Sequence, residues 1–214
     1  MWAVVVAGGE GIRFGGPKQF VELCGRPVVA ISVETARSVA NGVVVVVPGT
    51  ASGSDLVRIG SPDVIVQGGA TRSESVRAGL AAVPSEAGIV VVHDAVRPLA
   101  TAALFASVVQ AVMSGADAAV PGLPITDTLK KVSDDVVVST IERSDLVSVQ
   151  TPQAFRASVL RTAHAGSDVA TDDAALVESL GGTVRIVPGE RSNLKLTDPV
   201  DLRILEALMD EHRA

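Results

Sequence analysis

The sequence predicts an α/β fold with a mostly parallel central sheet. Three observations carry that expectation. Short β-branched runs alternate with helical patterns along most of the chain, the rhythm of successive βαβ units. The apolar runs are nearly continuous, as strands covered by helices on both faces should be. Hydrophobic residues make up 47% of the 214 residues, aromatics only 2%, with no tyrosine. The core must therefore be built from Val, Ala, Leu and Ile.

The elements follow in order. Trp2–Val6 reads as the first strand and runs into a glycine-rich stretch, Ala7–Lys18. A helix is expected near Pro27–Ala40, then strands at Val43–Val47 and Asp63–Val66, a helix at Thr71–Val83 and a strand at Ile89–His93. Leu99–Ala116 carries no charge, but Thr101, Ser107, Gln110, Ser114 and Gly115 dilute it. It reads as a buried helix, Thr101–Ser114, and not as a membrane span. A strand at Ala118–Pro121 follows. The rhythm breaks after Pro124: Thr126–Val132 and Val136–Glu142 flank Ser133-Asp134-Asp135 and read as a hairpin. Its polar, charged character suggests an arm that leaves the body and packs on a partner subunit. Helices near Arg156–Ala165 and Asp172–Leu180, a strand Thr183–Val187 and a final helix Pro199–Arg213 complete the pattern. No repeat or linker divides it, so one domain over 1–214 is expected, with an arm at about 124–150.

The net charge of -6 argues against general attraction to nucleic acid. Any anion must be bound by positive charge placed locally. A single cysteine, Cys24, allows no internal disulfide and fits a cytoplasmic protein. Met1–Ala7 is apolar but lacks a basic leader, so neither a signal peptide nor a membrane role is expected.

Three strands end in loops rich in Gly or charge, Ala7–Lys18, Gln67–Arg72 and Asp94–Pro98. In open α/β sheets ligands bind beyond the carboxyl ends of the strands, so these loops should converge on one site. In the first, Gly8, Gly9 and Gly11 let backbone N–H groups approach phosphate oxygens, while Arg13 and Lys18 add positive charge. The loop has neither a Walker A GK[ST] nor GxGxxG spacing. In the second, Thr71 and Glu74 have capping-box spacing and start a helix. That leaves Gly68, Gly69 and Arg72 unexplained, and places Ser75 on the first turn within reach of a ribose or base. In the third, Asp94 at a strand end is a natural Mg²⁺ ligand, Arg97 can hold an anion, and His93 reads as buried and hydrogen-bonded. Asp127-Thr128, Arg143, Thr151-Pro152-Gln153, Thr171-Asp172-Asp173 and Asn193–Thr197 are weaker signals taken singly.

Seven motifs in order, AGGEGIRFGGPKQF, GGATRSESVRAGL, VVHDAVRP, PITDTLK, TPQAF, TDDAALVE and RSNLKLTDPVDL, resemble the 2-C-methyl-D-erythritol 4-phosphate cytidylyltransferase family. The resemblance implies a Rossmann-like nucleotidyltransferase domain with a protruding β-hairpin arm, and a homodimer joined through that arm. It implies transfer of CMP from CTP to a methylerythritol 4-phosphate, with release of pyrophosphate and Mg²⁺ as cofactor. Carried over by position, Arg13, Lys18 and Lys195 would stabilise charge. Ala7, Gly8, Gly9, Gly11 and Gly69 would line the nucleotide, Ser75 and Ala95 would lie near its ribose and base, and Asp94 would hold the metal. Arg97, Thr151 and Thr171 would contact the sugar-alcohol phosphate, and Thr128 and Arg143 would reach into the partner's site. The chain departs from the family at Ala70, where relatives often carry a polar residue, and in a short Phe14–Gly16 segment. Two other readings stay open: a cytidylyltransferase for ribitol 5-phosphate, and a non-catalytic nucleotide-binding module on the same fold.

Overall fold

The computed structural model describes residues 1–9, 11, 14–166 and 172–211. The chain opens with β1 (Trp2–Val6), a single 3-10 turn (Lys18–Phe20), β2 (Glu22–Leu23), β3 (Arg26–Pro27), α1 (Val28–Val39), β4 (Gly42–Val47), α2 (Gly53–Val57) and β5 (Val64–Gln67). It continues through α3 (Arg72–Ala81), β6 (Ile89–Asp94), α4 (Ala102–Met113), β7 (Ala118–Pro124), β8 (Leu129–Ser133), β9 (Val136–Ile141), β10 (Val147–Val149) and β11 (Gln153–Arg156). α5 (Ala157–Ala163), α6 (Asp173–Ser179), β12 (Val184–Pro188) and α7 (Pro199–Glu211) complete it.

Among the described residues eight strands form the main sheet, in the order β10-β7-β11-β6-β1-β4-β5, with β12 also on β7. Strands β5, β4, β1 and β6 are parallel neighbours, as the βαβ rhythm predicts. Side chains alternate across them. Ala3, Val5, Val43, Val45 and Val91 pack with Val29, Val33, Leu104, Phe105 and Val108 of α1 and α4. Val4, Val44, Val46, Val90 and Val92 pack with Val76 and Leu80 of α3, Leu160 of α5 and Val177 of α6. Both faces of β1, β4 and β6 are buried, which is why these strands read as unbroken apolar runs, whereas the edge strand β5 leaves Ile65 exposed. A third cluster, Leu23, Val28, Ile31, Leu196 and Leu205, fastens the loop before α7 to the β2–β3 corner.

The sequence expectation omits the short β2–β3 pair and α2, and three further features of the sheet differ from it. β11 pairs antiparallel with both β6 and β7 and separates them; four residues are too few to show a period. β7 continues past Pro121 to Pro124, because Pro121 lacks an N–H but its carbonyl still accepts from Gln150 N at 2.8 Å. β10 pairs with the end of that extended strand. The hairpin of β8 and β9 forms as expected around a two-residue turn. Asp134 and Asp135 both take positive φ, 46° and 63°, the geometry that matches strand twist. Val132, Val136, Val137 and Val138 on this arm are exposed. No helix of the described residues is long and apolar enough to cross a membrane.

Candidate active site

The carboxyl ends of β1, β4, β5 and β6 open into a cleft of about 730 Å³. Its lining includes Ala7, Gly8, Gly9, Gly11, Lys18, Gly69, Ser75, Asp94 and Lys195, all singled out from the sequence, together with Arg72. The three loops do converge. A fourth wall, Pro48–Thr50 after β4, is missing from the sequence candidates; the same strand-end rule points to it.

Local folding fixes the glycine wall. Gly11 has φ of +67°, and a Cβ there would lie 1.9 Å from the Gly16 carbonyl oxygen. That close approach belongs to a tight turn in which Phe14 N and Gly16 N both donate to the Gly11 carbonyl. Gln19 is buried and donates to the Gly9 carbonyl at 3.1 Å, fixing the loop from below. Thr71 caps α3 reciprocally with Glu74. This capped end packs so closely that a Cβ on Gly69 would meet Glu74 Cβ at 2.4 Å. Gly68 and Gly69 thus make room for the start of α3. Ser75 Oγ donates to the Thr71 carbonyl at 3.0 Å.

Asp94 is the centre of charge. Its Oδ2 accepts from Lys195 Nζ at 2.8 Å and its Oδ1 from Arg72 Nε at 3.3 Å. Burial opposes its ionisation, but Arg72, Lys195 and Arg97 outweigh burial and hold the carboxyl far below the usual carboxylate range. Arg72 also donates through Nη1 to Asp173 at 2.7 Å, and Asp173 accepts from His164 Nε2 at 2.9 Å. Burial works against the Arg72 charge, yet Asp94 and Asp173 raise its pKa beyond the ordinary arginine value.

A hydrogen-bond chain lies beneath. Asp94 N donates to Thr151 Oγ1 at 3.0 Å. Thr151 Oγ1 is 3.2 Å from His93 Nδ1, and His93 Nε2 is 3.2 Å from the Arg97 carbonyl. A carbonyl can only accept, so Nε2 carries the proton, Nδ1 accepts, and the threonine hydroxyl donates to it. Burial pushes the His93 pKa down to about 4, so the ring is neutral at pH 7.

The remaining residues named from the sequence fall in three groups. Ala95 lies in the apolar core under the cleft, its N–H bonded to the Val6 carbonyl and its carbonyl to Ser32 Oγ. Arg97 is half-buried and donates to the Asn193 carbonyl at 2.8 Å, so it braces the Lys195 loop. Thr128 and Arg143 are exposed on the arm, outside the cleft of their own chain; Arg143 donates to the Thr126 carbonyl. Arg13 and Thr171 lie outside the described residues. The buried amide Gln150, which no sequence signal marked, accepts from Asn193 Nδ2 beside Thr151 and so ties the Asn193–Thr197 stretch to the site.

Among the described residues no three His, Cys, Asp or Glu side chains cluster to hold a metal. The cleft instead sets one ionised carboxylate among cations beneath a glycine wall. That arrangement suits a polyphosphate.

Comparison with known proteins agrees with this chemistry. A family model described as 2-C-methyl-D-erythritol 4-phosphate cytidylyltransferase matches residues 1–211. A protein of that name from Nocardia farcinica is 44% identical over 219 residues, covering 99% of this chain and 95% of that protein. One from Rubrobacter xylanophilus is 42% identical, covering 97% and 94%. The crystal structure of the Thermus thermophilus protein of the same name superposes with a TM-score of 0.81 at 35% identity, covering 97% of this chain and 98% of that one.

Proposed function

The chain belongs to the 2-C-methyl-D-erythritol 4-phosphate cytidylyltransferase family, and from that premise we propose how its own residues carry the reaction. It is a nucleotidyltransferase of the non-mevalonate isoprenoid pathway, moving a cytidylyl group from CTP to 2-C-methyl-D-erythritol 4-phosphate. The observation that carries the mechanism is the convergence of the glycine wall, Lys18 and Lys195 on one cleft around Asp94.

The attacking atom is a phosphate oxygen of the sugar alcohol, ionised at neutral pH, so no general base is required. A bond forms from that oxygen to the α-phosphorus of CTP, and the α–β bridging bond breaks to release pyrophosphate. The protein's work is positioning and charge stabilisation. Ala7, Gly8, Gly9, Gly11, Gly69 and Ser75 hold the nucleotide. Arg13, Lys18 and Lys195 meet the charge that develops on the transferring group. Arg97 and Thr171 form the sugar-phosphate side, and Thr151 supports it by holding the Asp94 backbone. Asp94 would hold Mg²⁺ as a single protein carboxylate, and that ion would neutralise phosphate charge.

A single catalytic domain carries this site, and its arm at about 124–150 joins two copies as a homodimer. Its exposed valines support that assembly, which brings Thr128 and Arg143 of each chain to its partner's cleft. The lone cysteine supports a cytoplasmic enzyme.

The test is pyrophosphate release with CTP, UTP, ATP or GTP against methylerythritol phosphate and ribitol 5-phosphate. Release is expected with CTP and methylerythritol phosphate. A preference for ribitol 5-phosphate, or no release with any pair, overturns the reading.

A further inference from the structure

Arg72 is the part of the GGATRSES motif that neither helix capping nor the glycine packing explains. It is the first residue of α3, and its side chain lines the cleft with about a quarter of its surface exposed. Its guanidinium is divided between two carboxylates from distant parts of the chain, Asp94 at the end of β6 and Asp173 at the start of α6. Asp94 belongs to the nucleotide side. Asp173 opens the helix that follows the sugar-phosphate residue Thr171, and its side chain is only 1% exposed. Two buried carboxylates need a cation that reaches both. A guanidinium offers N–H groups along two edges of a rigid plane, whereas an ammonium is a point charge.

We propose that Arg72 is a positioning residue for the transfer: by bonding Asp94 and Asp173 at once, it fixes the nucleotide side of the site relative to α6 and the sugar-phosphate side. This rests on the functional reading above. Arg72 is not itself required to touch a reacting atom. Its task is register, so its loss is felt most when both substrates must be aligned. Asp173, which does not line the cleft, is the other half of the device, and His164 seats it from behind.

The experiment compares wild type, Arg72→Lys, Arg72→Gln, Asp173→Asn and the double variant Arg72→Lys/Asp173→Asn. Pyrophosphate release is measured at saturating CTP with varied methylerythritol phosphate, and CTP binding by calorimetry without the sugar. Each single variant should lose roughly 10–10²-fold in kcat/KM for the sugar phosphate while CTP affinity changes less than about threefold. The double variant should lose no more than the worse single one, because the two residues form one unit. Arg72→Lys should not rescue. Wild-type kinetics in folded Arg72→Gln, full rescue by lysine, or additive losses in the double variant overturn the proposal. So does a fall in CTP affinity equal to the fall in turnover, which makes Arg72 a plain phosphate ligand. Should Arg72→Gln fail to fold, Asp173→Asn and Arg72→Lys carry the same comparison. A wild type without turnover overturns the reaction itself, which a healthy wild type beside unaffected variants does not.

Discussion

Asp94 shows how far a single residue can be read from sequence. A carboxylate ending a buried strand is legible as a site residue; the side chains that keep it ionised, Arg72 and Lys195, lie 22 and 101 positions away. Lys18→Ala and Lys195→Ala should each lower turnover by roughly 10²–10³-fold with the fold intact; near-wild-type kcat in either removes that residue from the mechanism. The family resemblance makes Thr151 a substrate contact, and in the structure its hydroxyl is engaged with Asp94 and His93. Thr151→Val strands a buried N–H and a ring nitrogen, so it should cost about 1–3 kcal/mol in denaturant unfolding, while Thr151→Ser keeps the chain; equal stability of the two variants excludes this role. His93 gives a pH dependence with a defined sign. Its folded pKa is depressed from 6.5 to about 4, so between those values the unfolded chain binds a proton that the folded one does not. Stability is therefore full above about pH 6.5 and falls as pH drops through that window. Asp94, also depressed, adds its loss as pH falls through the ordinary carboxylate range and below it. His93→Gln should flatten the slope of unfolding free energy against pH between 6.5 and 4 by about one proton; an unchanged slope assigns the acid sensitivity elsewhere.

At the scale of elements, the parallel strands and their helices are legible because burial on both faces writes a long apolar signature. The arm is legible for the opposite reason: it breaks the βαβ rhythm and turns on two aspartates. β10 and β11 are not, since three and four residues carry no period and their pairing partners are distant in sequence. The arm's exposed valines yield an assembly prediction. For the homodimer proposed above, Val136→Lys combined with Val138→Lys should shift sedimentation from dimer to monomer and depress activity, with unchanged far-UV circular dichroism. A variant that stays dimeric removes the arm as the interface. An Arg143→Ala protein mixed with an Arg13→Ala protein should regain part of the activity once subunits exchange, and none if sites are not shared.

For the whole molecule, a cleft built at four strand ends should make the fold sensitive to nucleotide. CTP with Mg²⁺ at about 100 times its dissociation constant should stabilise the native state by about 2.7 kcal/mol, read as a rise in Tm larger than with UTP, ATP or GTP. Equal shifts with all four point to recognition of the triphosphate alone. The sequence by itself determined the fold class, the alternation of the long parallel strands with their helices, the glycine wall and the family, because apolar period, turn chemistry and contiguous motifs are local properties of the chain. Only the tertiary structure decided which cation faces which carboxylate, the tautomer of His93, the antiparallel strand set between β6 and β7, and the bridge from Asp94 through Arg72 to Asp173. Those depend on side chains far apart in sequence that meet when the sheet closes and excludes water. In that dry, low-dielectric setting a charge must find its partner, and no run of neighbouring residues records which partner it finds.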